Sequence, residues 1–151
     1  MTTPTLEIKA TIQIQKTPHE VFEAIVDPEK MSNYFISKGS GRLEDDRQIF
    51  WQFPEFGIEF PIRVGKTEKE KYIQYNWEVD GRELLVEITL TPAGLNDTVV
   101  TVTEKSREND EAGIAWLRGN TEGWANFLAC LKAWLEYGIN LRKGAFDYLK
   151  K

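Results

Sequence analysis

The chain has 151 residues, of which 41% are hydrophobic, 12% aromatic and 28% charged, a length and composition that suit one domain, residues 1–151, with a sizeable core. Its formal net charge is −5 and no basic run is longer than two residues, which excludes the electrostatic pattern of a nucleic-acid binder and argues against binding to an anionic membrane surface. No apolar stretch approaches the roughly 20 residues that span a bilayer and no signal-peptide pattern occurs, so we expect a soluble, cytoplasmic protein.

The first predicted element is a strand with one apolar face. Apolar and polar residues alternate from Leu6 to Gln15, which is typical of a strand that lies on a core. Thr17, Pro18 and Glu20 follow with the spacing of a capping box, in which Thr17 caps, Pro18 opens the helix and Glu20 reaches back. A helix is therefore predicted to start there.

Two short helices are predicted after this strand. The pair Asp27-Pro28 ends the first helix, because the residue before a proline avoids the α region. The second is predicted from Pro28 to Tyr34.

A run of strands comes next. Alternating apolar residues and intervening turn residues predict five strands, joined by links so short that neighbours should pair antiparallel: Gln48 to Phe53, Ile58 to Thr67, Tyr72 to Val79, Glu83 to Thr91 and Thr98 to Lys105.

The last predicted element is a long amphipathic helix. Its stripe has helical spacing and consists of Trp124, Phe127, Leu128, Leu131, Trp134 and Leu135. Asn120 or Thr121 is predicted to cap its start, after a turn at Ile114 to Arg118, and Gly138 is predicted to end it. A short helical tail should follow and fold back on the sheet, although it could instead dock on a partner subunit.

The order of these elements, with motifs at both ends, resembles the helix-grip (SRPBCC) superfamily of START domains, polyketide cyclases and the birch-pollen allergen. The branch that it most resembles is the family of activators of heat-shock protein 90 ATPase. The N-terminal motif is matched by Pro18, Val21, Phe22, Ala24, Ile25, Asp27, Pro28, Met31 and Phe35, and the C-terminal motif by Gly123, Trp124, Leu128, Leu131, Lys132, Leu135, Glu136 and Gly138. Two residues depart from the pattern of this family: Tyr34 stands where a Trp is usual, and Glu104 stands where a His is frequent.

The resemblance implies an α+β helix-grip fold. In this fold a curved antiparallel sheet of about six or seven strands wraps around the long C-terminal helix, and two short helices follow the first strand. The residues on the inner face would then either enclose a cavity for an apolar or aromatic ligand or pack as a filled core. The candidate ligand-binding residues are Trp51, Phe53, Phe60, Ile62, Tyr75, Trp77, Val86, Ile88, Val102, Glu104, Trp124, Phe127, Leu128 and Leu131.

Glu104 is the one charged candidate. It points inward if its strand keeps the parity of Val100 and Val102, and it would then need a partner such as Arg63 or Arg82, or its pKa would rise. Such a carboxylate could bind a polar ligand group or move a proton. The alternative is a place in water at the strand end.

The chain contains one Cys and one His, which cannot build the usual zinc sites or a Ser-His or Cys-His nucleophile pair. We therefore predict no catalytic residue, no metal and no cofactor. His19 belongs to the first turn of a helix, where exposure is expected, and Cys130 adjoins the apolar stripe, where a buried thiol is expected.

Three functions fit the sequence. A non-catalytic carrier or sensor would bind a small hydrophobic or aromatic molecule in the cavity. A chaperone-interacting protein, implied by the resemblance, would use its outer surface. A cyclase- or aromatase-like enzyme would rely on Glu104, Tyr75 or Glu87. The sequence favours binding over catalysis and a monomer or weak homodimer.

Overall fold

The computed structural model describes residues 4–150 and confirms the α+β helix-grip fold. An open, curved, antiparallel sheet of seven strands has the order β1-β7-β6-β5-β4-β3-β2. The strands are β1 (Thr5–Ile14), β2 (Lys38–Gly39), β3 (Gln48–Gln52), β4 (Glu59–Glu68), β5 (Tyr72–Val79), β6 (Arg82–Ala93) and β7 (Asp97–Glu108); the helices are α1 (Pro18–Val26), α2 (Pro28–Met31) and α3 (Glu111–Tyr137), and a 3-10 turn spans Asp147–Leu149.

The strands agree with the sequence prediction except for β2. This strand has two residues, which pair with Gln52 and Trp51 of β3, and so short a segment gives no alternation to detect. A Cβ atom on Gly39 would lie 2.9 Å from the Cβ of Pro28. The glycine therefore lets β2 lie close to the start of α2.

The first helical segment begins and ends as predicted. Thr17 Oγ1 accepts a hydrogen bond from the Glu20 N–H at 3.3 Å, while the side chain of Glu20 meets the Thr17 hydroxyl rather than its backbone. Asp27 ends α1, and its Oδ1 accepts from the Glu29 N–H at 2.9 Å to cap α2. α2 ends at Met31, earlier than the predicted Tyr34.

The predicted start of the long helix is wrong. Asp110, not Asn120 or Thr121, is the cap, with Oδ1 accepting from the Gly113 N–H at 2.7 Å, and α3 runs for 27 residues. The segment predicted as a turn is helical, and Asn120 lies inside α3. Gly138 ends the helix with a φ of 66°, as predicted.

The core lies between the concave face of the sheet and the helices. Inward residues of β3 to β7 are buried as their parity predicts, except that Phe60 and Trp77 are partly buried. α3 supplies Trp124, Phe127, Leu128 and Leu131. α1 packs on β6 and β7, and α3 packs on β1. No helix within residues 4–150 is long and apolar enough to cross a membrane.

Candidate functional site

A cavity of about 430 Å³ opens between the strands β3 to β5, the middle of α3 and the segment 138–150, called the tail below. Its wall is mainly aromatic, with Tyr34, Phe35, Phe53, Phe56, Phe60, Trp77, Trp124, Phe127 and Phe146. A volume of this size admits a small organic molecule, and concave apolar walls are typical of such sites.

Several aromatic rings of the wall pack edge to face. The ring of Phe35 lies 4.7 Å from Phe127 and 5.1 Å from Phe53, both with steep interplanar angles. Trp77 and Trp124 lie 5.8 Å apart across the wall in a tilted arrangement, at 44°. Edge-to-face pairs at these distances stabilise the arrangement beyond the area that they bury, so the wall has a fixed shape.

A buried carboxylate lies behind this wall. Glu104 has 0% exposure, and its two oxygens accept hydrogen bonds from Trp77 Nε1 at 2.7 Å and Asn120 Nδ2 at 2.8 Å. The inward orientation that the strand parity indicates is confirmed. The suggested partners are wrong, because Arg63 instead pairs with Glu83 and Arg82 lies at the start of β6 in an exposed position.

Tyr75 lies next to this carboxylate and is fully buried. Its hydroxyl group has no hydrogen-bond partner among the described residues. Burial, with a contribution from the charge of Glu104, raises the pKa of Tyr75 well above its ordinary value, so the hydroxyl stays protonated at neutral pH.

The mouth of the cavity is closed in part by an ion pair. Arg142 of the tail makes two hydrogen bonds to Glu55, at 2.6 and 3.0 Å, and the two side chains are only 14% and 3% exposed. The guanidinium also lies 5.0 Å from the ring of Phe146 and 5.7 Å from that of Phe53. The tail thus folds back on its own domain at the link between β3 and β4.

The structure divides the predicted ligand-binding residues into two groups. Phe53, Phe60, Trp77, Trp124 and Phe127 line the cavity. The other candidates are buried but do not line it: Trp51, Ile62, Tyr75, Val86, Ile88, Val102, Glu104, Leu128 and Leu131. Alternation identifies the inner face but not which part of it a helix covers, and α1 covers β6 and β7.

Several wall residues are not among the ligand-binding residues that the sequence predicts. The sequence pattern assigns Phe35 only to the N-terminal motif, and it predicts Asn120 as a helix cap. Arg142, Phe146 and Leu149 belong to the tail, where no hydrophobic period assigns a face. A correct start for α3 would have placed Asn120 one turn before Trp124, on the same side of the helix.

The Cys and the His occupy the places expected for them. Cys130 is buried on the cavity wall, and burial raises the pKa of its thiol, which keeps the thiol neutral. His19 is exposed at the start of α1, 3.7 Å from Glu70. Within residues 4–150, no group of His, Cys, Asp and Glu side chains is placed to hold a metal ion.

Comparison with known proteins gives one family match. The model of the family described as Activator of Hsp90 ATPase homolog 1-like protein matches residues 15–136. A search of curated proteins finds no match.

Several solved structures share the fold. Protein SSP2350 from Staphylococcus saprophyticus is 31% identical, with a TM-score of 0.79, over 91% of this chain and 96% of that one. The Aha1 dimer from Colwellia psychrerythraea is 20% identical over 88% and 98%, with a TM-score of 0.75. DynU16, from the dynemicin biosynthetic locus, is 23% identical with a TM-score of 0.78; the match covers 88% of this chain but 48% of DynU16.

Proposed function

This chain belongs to the family of Activator of Hsp90 ATPase homolog 1-like proteins, and we propose that within this family it binds a small hydrophobic or aromatic molecule as a non-catalytic carrier or sensor. The observation that carries this proposal is the aromatic-walled cavity of about 430 Å³ between the sheet, α3 and the tail. A filled core would place these rings against one another with no such space.

The polar groups near the cavity favour binding over catalysis. Glu104 lies behind the wall, and both of its oxygens already accept hydrogen bonds. Glu87 lies on the other face of β6, where Tyr72 donates to it at 2.6 Å and Lys105 pairs with it. Cys130 has a neutral thiol, and His19 does not line the cavity, so the part of the wall that the structure describes holds no Cys-His pair.

A chaperone contact through the outer surface is the second candidate. The family name supports it, and the tail exposes the apolar side chains of Ile139, Leu141 and Tyr148. The third candidate, a cyclase-like activity, has only the helix-grip fold in its favour. Resemblance of fold does not carry an activity with it.

The cavity can be filled by a single substitution with a matched control. Gly123 lines the cavity and a Cβ atom there would meet nothing within 4 Å, whereas Gly119 is equally open but does not line it. Both lie inside α3, where leucine has the better helix propensity. Gly123→Leu should therefore occupy the cavity without harming the fold, and Gly119→Leu should leave the cavity empty.

The test is titration of the wild-type protein and both variants with naphthalene and its derivatives, followed by tryptophan fluorescence, since Trp77 and Trp124 line the cavity. We expect saturable binding to the wild type and to Gly119→Leu, and at least tenfold weaker binding to Gly123→Leu. Equal binding to all three proteins would place the ligand elsewhere and contradict the proposal. Binding of a purified Hsp90-type chaperone that survives Gly123→Leu would favour the second candidate.

A further inference from the structure

The hydrogen bonds of Glu104 determine which polar atoms Trp77 and Asn120 offer to the cavity. Trp77 and Asn120 line the cavity, and Glu104 lies behind them with 0% exposure. Each of the two wall residues donates an N–H group to Glu104, at 2.7 and 2.8 Å. The carboxylate therefore occupies donors that would otherwise be available to a ligand.

The consequence is clearest at Asn120. A carboxylate oxygen that receives a hydrogen bond must face the amide nitrogen, so the contact fixes the orientation of the amide. Turning Nδ2 towards Glu104 turns Oδ1 away from it, because the amide group is planar. Oδ1 accepts no hydrogen bond from the residues that the structure describes, and it is not sealed from solvent.

Trp77 offers no further polar atom. Its only polar group is the indole N–H, which already donates to Glu104. Trp77 therefore presents its ring alone to the cavity, and Asn120 Oδ1 is an acceptor set among aromatic rings.

The charged side chains at the mouth of the cavity also limit which ligands can bind there. Glu78 and Asp80 line the cavity, and neither forms an ion pair with another described residue. The charge of Arg142 is matched by Glu55 in a two-pronged contact. An anionic ligand would approach two unpaired carboxylates, which disfavours its entry.

We propose that the ligand is an uncharged or cationic aromatic compound that carries a hydrogen-bond donor, a hydroxyl or an N–H group, which Asn120 Oδ1 accepts. This inference rests on the binding function proposed above. Glu104 is a positioning residue in it: it acts through Asn120 and does not touch the ligand. A ligand without a donor would leave the acceptor desolvated and unpaired, which costs binding free energy.

Three matched probes test this proposal: 2-naphthol has a donor, 2-acetylnaphthalene has only an acceptor, and 2-naphthoate is an anion. The wild-type protein should bind 2-naphthol about tenfold more tightly than 2-acetylnaphthalene, and 2-naphthoate most weakly. Equal affinities for 2-naphthol and 2-acetylnaphthalene would overturn the inference and leave the proposed binding function standing. If neither these probes nor naphthalene binds, the proposed function fails and the inference fails with it.

Glu104→Gln gives a readout that a purely structural role would not produce. The new side chain keeps one acceptor for Trp77 but presents an NH₂ group to Asn120, so the amide of Asn120 should turn over and offer Nδ2 to the cavity. The preference should then invert, with 2-acetylnaphthalene bound more tightly than 2-naphthol. Equal weakening of both probes would mean that Glu104 only supports the fold, and would contradict the proposal.

Asn120→Ala is a second variant that keeps the test decisive if Glu104→Gln does not fold. It removes the acceptor, so the affinity for 2-naphthol should fall by about tenfold to that for naphthalene, while naphthalene binding stays the same. An unchanged preference for 2-naphthol in this variant would overturn the role of Asn120.

Discussion

At the scale of single residues, Tyr34 and Tyr75 differ in how their hydroxyl groups are satisfied. Both side chains are buried, with 1% and 0% exposure, and burial raises the pKa of both well above the ordinary 10.0. Tyr34 donates to the Ala24 carbonyl at 2.8 Å, whereas the Tyr75 hydroxyl has no partner within residues 4–150. A buried hydroxyl without a partner loses its hydrogen bonds to water and forms none in the protein, which lowers the stability of the folded state.

The two tyrosines therefore predict opposite effects of the same substitution. Tyr34→Phe should lower the free energy of unfolding by about 1 kcal/mol, because it leaves the Ala24 carbonyl unpaired, while Tyr75→Phe should leave it unchanged or raise it by about 1 kcal/mol. Urea denaturation of both variants measures the difference. A loss of stability with Tyr75→Phe as large as that with Tyr34→Phe would contradict the absence of a partner.

The sequence predicts where buried polar residues lie better than it predicts their hydrogen-bond partners. The parity of β7 placed Glu104 inside, but its partner Asn120 belongs to a helix 16 residues further along the chain. Only the packing of α3 against the sheet brings the two together. The sequence signal for a donor on α3 was weakened further by the misplaced start of that helix.

At the scale of elements, the first two turns of α3 show why the start of a helix is difficult to predict. Gly113 and Trp116 are buried there, but the apolar residues stand in an unbroken run from Ile114 to Leu117, and polar residues and glycines fill positions 118–123. No stripe with helical spacing therefore leads into Trp124. Gly113 fits because it has no side chain: a Cβ atom would lie 1.9 Å from the Glu108 carbonyl oxygen. A residue that looks like a helix breaker is here required by close packing.

Two glycines of α3 therefore predict opposite outcomes for the same change. Gly113→Ala should destabilise the protein by about 2 kcal/mol or more, because the Glu108 backbone must move. Gly119→Ala meets nothing within 4 Å and should stabilise it by about 0.5–1 kcal/mol through helix propensity. Thermal unfolding of both variants tests the pair; similar shifts for the two would refute the close contact at Gly113.

At the scale of the whole molecule, the tail is attached to the domain by few contacts. None of its residues belongs to the buried core of residues 4–150. Its firmest attachment is the ion pair of Arg142 with Glu55, and Gly138 and Gly144, with φ of 66° and 76°, turn the chain on either side of that contact. The tail should therefore be able to open while the sheet and helices stay folded.

Arg142→Gln should release the tail without unfolding the domain. Glu55 would regain water once the tail lifts, so the free energy of global unfolding should change by about 1 kcal/mol or less, while trypsin cleavage after Lys143 should accelerate at least tenfold. Mass spectrometry of a digestion time course measures the cleavage. Lys150→Gln is the control, because it removes only an exposed ion pair with Asp147, and an equal acceleration there would show that Arg142 does not hold the tail.

The fold of the whole molecule could be predicted from the sequence and its cavity only in part. Regular alternation and the helical stripe fix strands, faces and order, because each of these follows from local periodicity. Which residues line the cavity depends on where α1 covers the sheet and where the tail packs back on the domain. Neither position is marked by a periodic pattern in the sequence. The sequence therefore predicts Phe53 and Trp77 as wall residues but does not predict Phe146 and Arg142.

The attachment of the tail also bears on the speed of binding. Phe146 and Leu149 line the cavity, so a bound molecule would leave past a segment that opens on its own. When such a segment limits passage, loosening it raises the association and dissociation rates together and leaves their ratio nearly constant. The residence time of the ligand would then depend strongly on Arg142 and Glu55, whereas the affinity would depend on them only weakly. A carrier could therefore release its ligand quickly or slowly without any change in the residues of the cavity wall.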